Sequence, residues 1–240
     1  PAARSDMKEI RQELKPWTGE IHSYFPVEGE PVEVTTFCNQ QQDAVSVRVS
    51  SPLLKEDRLT IRLRFPYPTG GWSDAGNYWE KTDRHQSSIV LQEGNQAQIR
   101  HSLDTTTYYV GLLSDNTLHI KEKAPHYFII TPGAGEHFEL TCRFDSAINA
   151  TPLPSFSDTR NNSEKLWQAF WKYGGAVDFS GSTDPRAFEI ERRVILSQYL
   201  LRAQEAGPNP PQETGLTYNS WYGKPHMEMH RSEEHTSELQ

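Results

Sequence analysis

A chain of 240 residues with 35% hydrophobic and 11% aromatic side chains can bury enough apolar surface to offset the entropy of ordering. That excludes a disordered tail and allows one large domain, or one domain with the start of another. The formal charge of −8, with no cluster of Lys and Arg, excludes the basic stripe that a nucleic-acid partner requires, and no apolar run is long enough to span a bilayer.

Residues 1–29 read as an N-terminal extension, polar and helix-compatible over 1–20 with little to anchor it. From about Val32 the pattern becomes that of strands. Val45, Val47 and Val49 alternate in VSVRVS, and Leu59, Ile61, Leu63 and Phe65 alternate in LTIRLRF. A period of two marks half-buried strands. SIVL near Ile89, YYVGLL near Val110, TLHI near Leu118, HYFIIT near Phe128 and HFELTCRF continue the series. Turn-rich segments at Pro66 to Gly71, Glu93-Gly94-Asn95, Asp115-Asn116 and Pro132 to Gly135 separate them. Short strands at this spacing predict an antiparallel β-sandwich over 30–146 rather than βαβ units. Cys38 and Cys142 each lie in a strand-like run, where a thiol acts as a small core hydrophobe; a disulfide requires their Cα atoms to come within bridging distance. No C-x-x-C occurs.

Residues 147–184 read as a linker with a helix. ATPLPSFSDTRNNS carries two prolines, and the periodicity then turns helical. Asn161 with Glu164 three residues later reads as a capping box, Leu166, Trp167, Phe170 and Trp171 form an apolar face, and Gly174-Gly175 supplies a stop. A second helix starts with Asp184 as N-cap and Pro185 at its first position, and ends at Gly207-Pro208. Its apolar residues, Ile190, Val194, Ile195, Leu196, Tyr199 and Leu200, leave few polar faces, which predicts burial around much of its circumference. The chain is therefore expected to be α+β, strands first and helices after.

Residues 211–230, PQETGLTYNSWYGKPHMEMH, are dense in aromatic and hydrogen-bonding side chains and carry little helical periodicity. That is the composition of a ligand-binding rim. His226, Glu228 and His230 alternate, as imidazole and carboxylate ligands on one strand face would, but the spacing is not that of H-E-x-x-H; no metal and no cofactor is assigned.

The string GGAVDFSGSTDPRAFEIERRVILSQYLLRAQEAG, continuing through PPQETGLTYNSWYGKPHMEMH, resembles bacterial proteins related to glycoside hydrolase family 65 of the six-hairpin glycosidase superfamily. The resemblance is strongest over 165–230. It implies an N-terminal β-sandwich, a linker helix and, at 185–230, the first helix of a truncated (α/α)6 barrel. It also implies inverting cleavage of an α-glycosidic bond by water or phosphate, and a carbohydrate as the partner. Aligned on Gly223, Glu228 takes the place of the family's acid in the −1 subsite, while Met227 stands where the family usually has Trp. By the same resemblance Tyr218, Asn219, Lys224 and His226 are polar contacts to sugar hydroxyls. Trp221 is either a wall of that pocket or, with Tyr222, ordinary packing. The family's general acid belongs to a later part of the barrel, so 1–240 is expected to hold no catalytic residue and to show no turnover alone. The alternative is a non-catalytic carbohydrate-binding or interaction β-sandwich.

A second aromatic and polar cluster occupies 65–88, FPYPTGGWSDAGNYWEKTDRHQSS, long for a strand connection. In the related enzymes a sandwich loop reaches over the barrel mouth, which makes Trp72, Asp74, Asn77, Trp79 and His85 loop contacts to the substrate. A solvated loop with Trp72 and Trp79 packed under it is the other reading. Arg231–Gln240, RSEEHTSELQ, breaks the preceding patterns, resembles a translated sequencing adapter and is set apart from the fold. A leader preceding Pro1 would make the protein periplasmic or extracellular; otherwise it is cytoplasmic. Nothing in the sequence sets the oligomeric state.

Overall fold

A computed structural model describes residues 9–68, 71, 78–133, 135–148 and 151–207. The chain divides into two compact units, Pro1–Tyr67 with Trp79–Gln168, and Pro68–Tyr78 with Ala169–Gln240.

The first unit is an antiparallel β-sandwich. Its strands are β1 (Arg11–Lys15), β2 (Glu20–Val27), β3 (Glu30–Asn39), β4 (Ala44–Ser50), β5 (Ile61–Arg64), β6 (His85–Glu93), β7 (Gln96–Leu103), β8 (Thr106–Ser114), β9 (His119–Ala124), β10 (Tyr127–Thr131) and β11 (His137–Asp145). Eight form one sheet in the order β1-β2-β3-β4-β11-β8-β7-β6, and three form a second in the order β5-β10-β9. The core lies between them. Ala97, Ile99, Val110, Leu112, Phe138 and Leu140 from the large sheet meet Phe65, Leu118, Ile120, Phe128 and Ile130 from the small one and its flanks. Ile99, Leu112, Phe128, Ile130 and Phe138 are fully buried.

The sheet begins earlier than the periodicity indicates. β1 and β2 lie within 1–29, read from sequence as an N-terminal extension that is helix-compatible over 1–20. β1 reads RQELK and is exposed along its whole length, so no alternation marks it; its register with β2 holds it. At the opposite edge, β6 is irregular between Ile89 and Leu91.

The large sheet is also covered on its outer face, by α1 (Phe156–Phe170). The helix starts five residues before the expected Asn161. Its capping box is Ser155 with Asp158: the Asp158 N–H donates to Ser155 Oγ (3.1 Å) and the Ser155 N–H donates to Asp158 Oδ2 (3.0 Å). Glu164 instead accepts from Arg160 at i, i+4 (2.8 Å). Phe156 packs edge-on against Phe37, and Asn162 Oδ1 accepts from the Gln40 N–H (2.8 Å). Ser46 Oγ lies 2.6 Å from Thr141 Oγ1 and donates to Thr159 Oγ1 at 2.8 Å, all three hydroxyls being buried. This explains an inversion in β4, where Ser46 is fully buried while Val45 is 36% exposed. Thr159→Val leaves the Ser46 hydroxyl without its acceptor inside that contact. It is expected to cost about 1–2 kcal/mol by urea denaturation, with Thr159→Ser close to wild type.

Cys38 and Cys142 are free thiols. Both register against Val45, from opposite sides of β4. They are two strand spacings apart, about 9–10 Å, which is beyond disulfide reach.

In the second unit, α1 runs into a π-helical turn, Trp171–Gly175, where Gly174 takes φ +114° and ends the helix as expected. α2 spans Ala187–Glu205. Asp184 does not cap it by position but holds its start, accepting from the Arg186 N–H at 2.8 Å through Oδ1 and from the Ala187 N–H at 3.0 Å through its carbonyl. Phe188 is 77% exposed, and Ile190, Leu196 and Leu201 are also exposed, so the expected burial around α2 is not present in the described structure.

Candidate functional site

Of the residues assigned by resemblance, Tyr218, Asn219, Trp221, Lys224, His226 and Glu228 lie outside the described residues, as do Trp72, Asp74 and Asn77. Trp79 and His85 are described. The Trp79 ring is partly exposed, and the Arg64 guanidinium lies 4.2 Å over it. Arg64 ends β5 and also lies 5.6 Å from the centroid of Tyr127. One face of Trp79 is thus covered by a cation, an arrangement that fixes the ring orientation.

His85 opens β6 and points into the sandwich, with 5% of its surface exposed. The alternation of β6 puts Ser87 on the same face, and the register sets Ser87 opposite His101 of β7. His101 in turn pairs with Tyr108 of β8, whose ring lies 5.0 Å away, and stacks on Phe65 with centroids 4.7 Å apart. The third imidazole comes from the other sheet. His126, in the short connection between β9 and β10, stacks on His85 with centroids 3.6 Å apart. The three rings are buried, and one nitrogen of each lies within 4.8 Å of the others.

The hydrogen bonds fix the protons. His126 Nε2 is 2.9 Å from the Thr82 carbonyl oxygen, which only accepts, so Nε2 carries hydrogen. In the neutral ring Nδ1 is then bare and accepts from the Ser87 hydroxyl at 2.9 Å. That hydroxyl has one proton, so at 2.7 Å His101 Nδ1 must donate to it, which leaves His101 Nε2 unprotonated. His85 Nδ1 is buried with no hydrogen-bond partner. Burial, and then the neighbouring His85 and His126, push His101 down to about 4; burial, and then His126, lower His85 as well. His85 and His101 are therefore neutral at physiological pH and offer lone pairs. Tyr67 packs against His85 at 5.7 Å and donates to Asp104 Oδ1 at 3.2 Å.

His126 has φ +60°, a left-handed conformation that costs a non-glycine residue about 1 kcal/mol. Its N–H donates to Glu122 Oε1 (3.2 Å) and its carbonyl accepts from the Phe65 N–H (3.0 Å), which hold the turn and aim the ring inward. His101 and His126 have no marker in sequence. Their only signal is that a histidine falls on the inward phase of β7, and that phase is legible only once the register is known.

A groove of about 400 Å³ elsewhere on the large sheet is lined by Glu33, Ser50, Ser51, Glu136 and His137 among others. Glu136 pairs with Lys55, and Glu33 lies 3.7 Å from His22.

The fold is an antiparallel sandwich followed by helices, the architecture expected from the sequence. It is similar to a solved structure described as a kojibiose phosphorylase from the human microbiome, with 11% sequence identity and a TM-score of 0.53 over 90% of this chain. The chain spans 32% of that protein's length, and at this identity the likeness is one of fold. No family model and no curated protein matches the chain. Among the described residues no helix is long and apolar enough to cross a membrane.

Proposed function

We propose that the chain is the front part of a carbohydrate-active enzyme related to glycoside hydrolase family 65, one that cleaves α-glycosidic bonds with inversion, by water or by phosphate. The observation that carries this reading is the order of the fold, an antiparallel sandwich running through a linker helix into further helix, similar over 90% of its length to a protein described as a kojibiose phosphorylase. The string over 165–230 supports it independently. In this reading 185–230 opens the (α/α)6 barrel and Glu228 accepts hydrogen bonds from the sugar in the −1 subsite. Tyr218, Asn219, Lys224 and His226 add polar contacts around it, and Trp221 forms a wall. By the same resemblance the general acid belongs to a later part of the barrel, and we assign it to no residue of 1–240. The 240-residue chain alone is accordingly expected to be inactive.

The test is to express both this chain and the full reading frame that encodes it. Release of glucose or glucose-1-phosphate from α-linked disaccharides is then measured with and without phosphate. Activity is expected from the full reading frame, and Glu228→Gln should lower kcat/KM about 10- to 100-fold with the fold intact by circular dichroism. If no α-linked substrate is turned over, yet the 240-residue chain binds sugars, the non-catalytic binding module is the correct reading.

A further inference from the structure

We propose that His85, His101 and His126 form a binding site for a borderline divalent transition cation of the Zn²⁺ kind, which clamps the two sheets of the sandwich together. The site is independent of the barrel and of the proposed glycosidase activity. Three observations carry it. Three imidazoles converge in a buried position, two from β6 and β7 of the large sheet and one from the β9–β10 turn of the small sheet. His85 Nδ1 is buried without a partner, a loss that a native interior rarely tolerates unless something else binds there. His126 is held at φ +60° by two backbone contacts, a local strain that keeps its ring in the cluster.

The chemistry of the donors selects the metal. Neutral imidazoles suit Zn²⁺, Cu²⁺ or Ni²⁺, whereas Mg²⁺ and Ca²⁺ require oxygen ligands. The surroundings already contain the second layer that metal histidines need. His126 donates Nε2–H to the Thr82 carbonyl, so its Nδ1 would coordinate by exchanging the hydrogen bond it accepts from Ser87 for the cation, and His101, which donates Nδ1–H to Ser87, keeps Nε2 free. Ligand nitrogens around one tetrahedral Zn²⁺ lie about 3.3 Å apart, given bonds of about 2.0–2.1 Å. From separations within 4.8 Å the rings must therefore draw inward, and His85 must turn out of its stack on His126. That turn breaks no hydrogen bond at His85 Nδ1. Water would complete the coordination.

The experiment uses the whole 240-residue chain, stripped with a chelator and titrated calorimetrically with Zn²⁺ alone. One Zn²⁺ per chain is expected, and at a hundredfold excess over Kd the thermal midpoint should rise by about 5–10 °C. His226→Gln/His230→Gln should keep both effects, and His85→Ala should lose both. If His85→Ala does not fold, the Co²⁺-loaded wild type decides. Visible d–d absorption with hyperfine-shifted signals from three imidazole N–H groups supports the site, and fewer than three overturns it. The absence of a midpoint shift in the wild type, or loss of binding in His226→Gln/His230→Gln, overturns it too.

Discussion

Phe128→Ala is expected to destabilise the sandwich by about 3–5 kcal/mol, because it empties the centre of the core. Phe128 lies in the central strand of the small sheet and is fully buried. Its ring meets Phe65 edge-on at 5.9 Å, and Phe65 in turn stacks on His101, so this side chain supports both the apolar core and the histidine cluster. Truncation removes the transfer energy of the ring and leaves a cavity that two sheets cannot close by sliding. Urea denaturation should show the loss as a lower midpoint with an unchanged slope. A cost below about 1.5 kcal/mol would mean that the small sheet is not part of the cooperative unit. Phe128→Leu, which keeps most of the volume, should recover the greater part of the stability.

Gly19→Ala is expected to cost about 3 kcal/mol although it adds one methyl group. Gly19 sits in the β1–β2 turn with φ +71°, where a side chain is strained by about 1 kcal/mol. Space is the larger difficulty. A Cβ there would lie 2.2 Å from Trp167 Nε1 and 2.8 Å from Ser163 Oγ, both on α1. Trp167 is buried and Ser163 Oγ donates to the Thr18 carbonyl at 2.8 Å, so the helix must move off the turn to admit the methyl group. Gly29 makes the control. It also has a positive φ (+89°), yet a Cβ there meets nothing within 4 Å, so Gly29→Ala should show the conformational strain alone. Thermal denaturation of the pair separates the two terms, and equal losses would show that α1 does not press on this turn.

The strands that alternate between large apolar and polar residues were legible in sequence: β4, β5, β8, β10 and β11 fall where the period of two places them. β7 was not, because its inward positions are Ala97, Ile99 and His101, only one of them a large hydrophobe. β1 carries no alternation because neither of its faces is buried. Asn161 and Glu164 have the right spacing for a cap, but the prolines of the linker end earlier and Ser155 reaches Asp158 first. At the site, His85 stood out as part of an unusual connection, whereas His101 and His126 are brought to it by pairing between strands and packing between sheets. Nothing local in a sequence encodes that meeting.

The two margins of the large sheet have a consequence for how this molecule meets others. β1 offers a fully exposed strand in which Arg11, Glu13 and Lys15 alternate in sign, and β6 is broken in register near Val90. An incoming strand would have to accept a charged template on one side and a mismatched ladder on the other. Templated growth of β-structure, the route by which open sheets polymerise, is therefore poorly served at either margin. Self-association driven by hydrophobicity has a better foothold on Phe188, Ile190, Leu196 and Leu201 of α2, which are exposed among the described residues, and would proceed by helix packing.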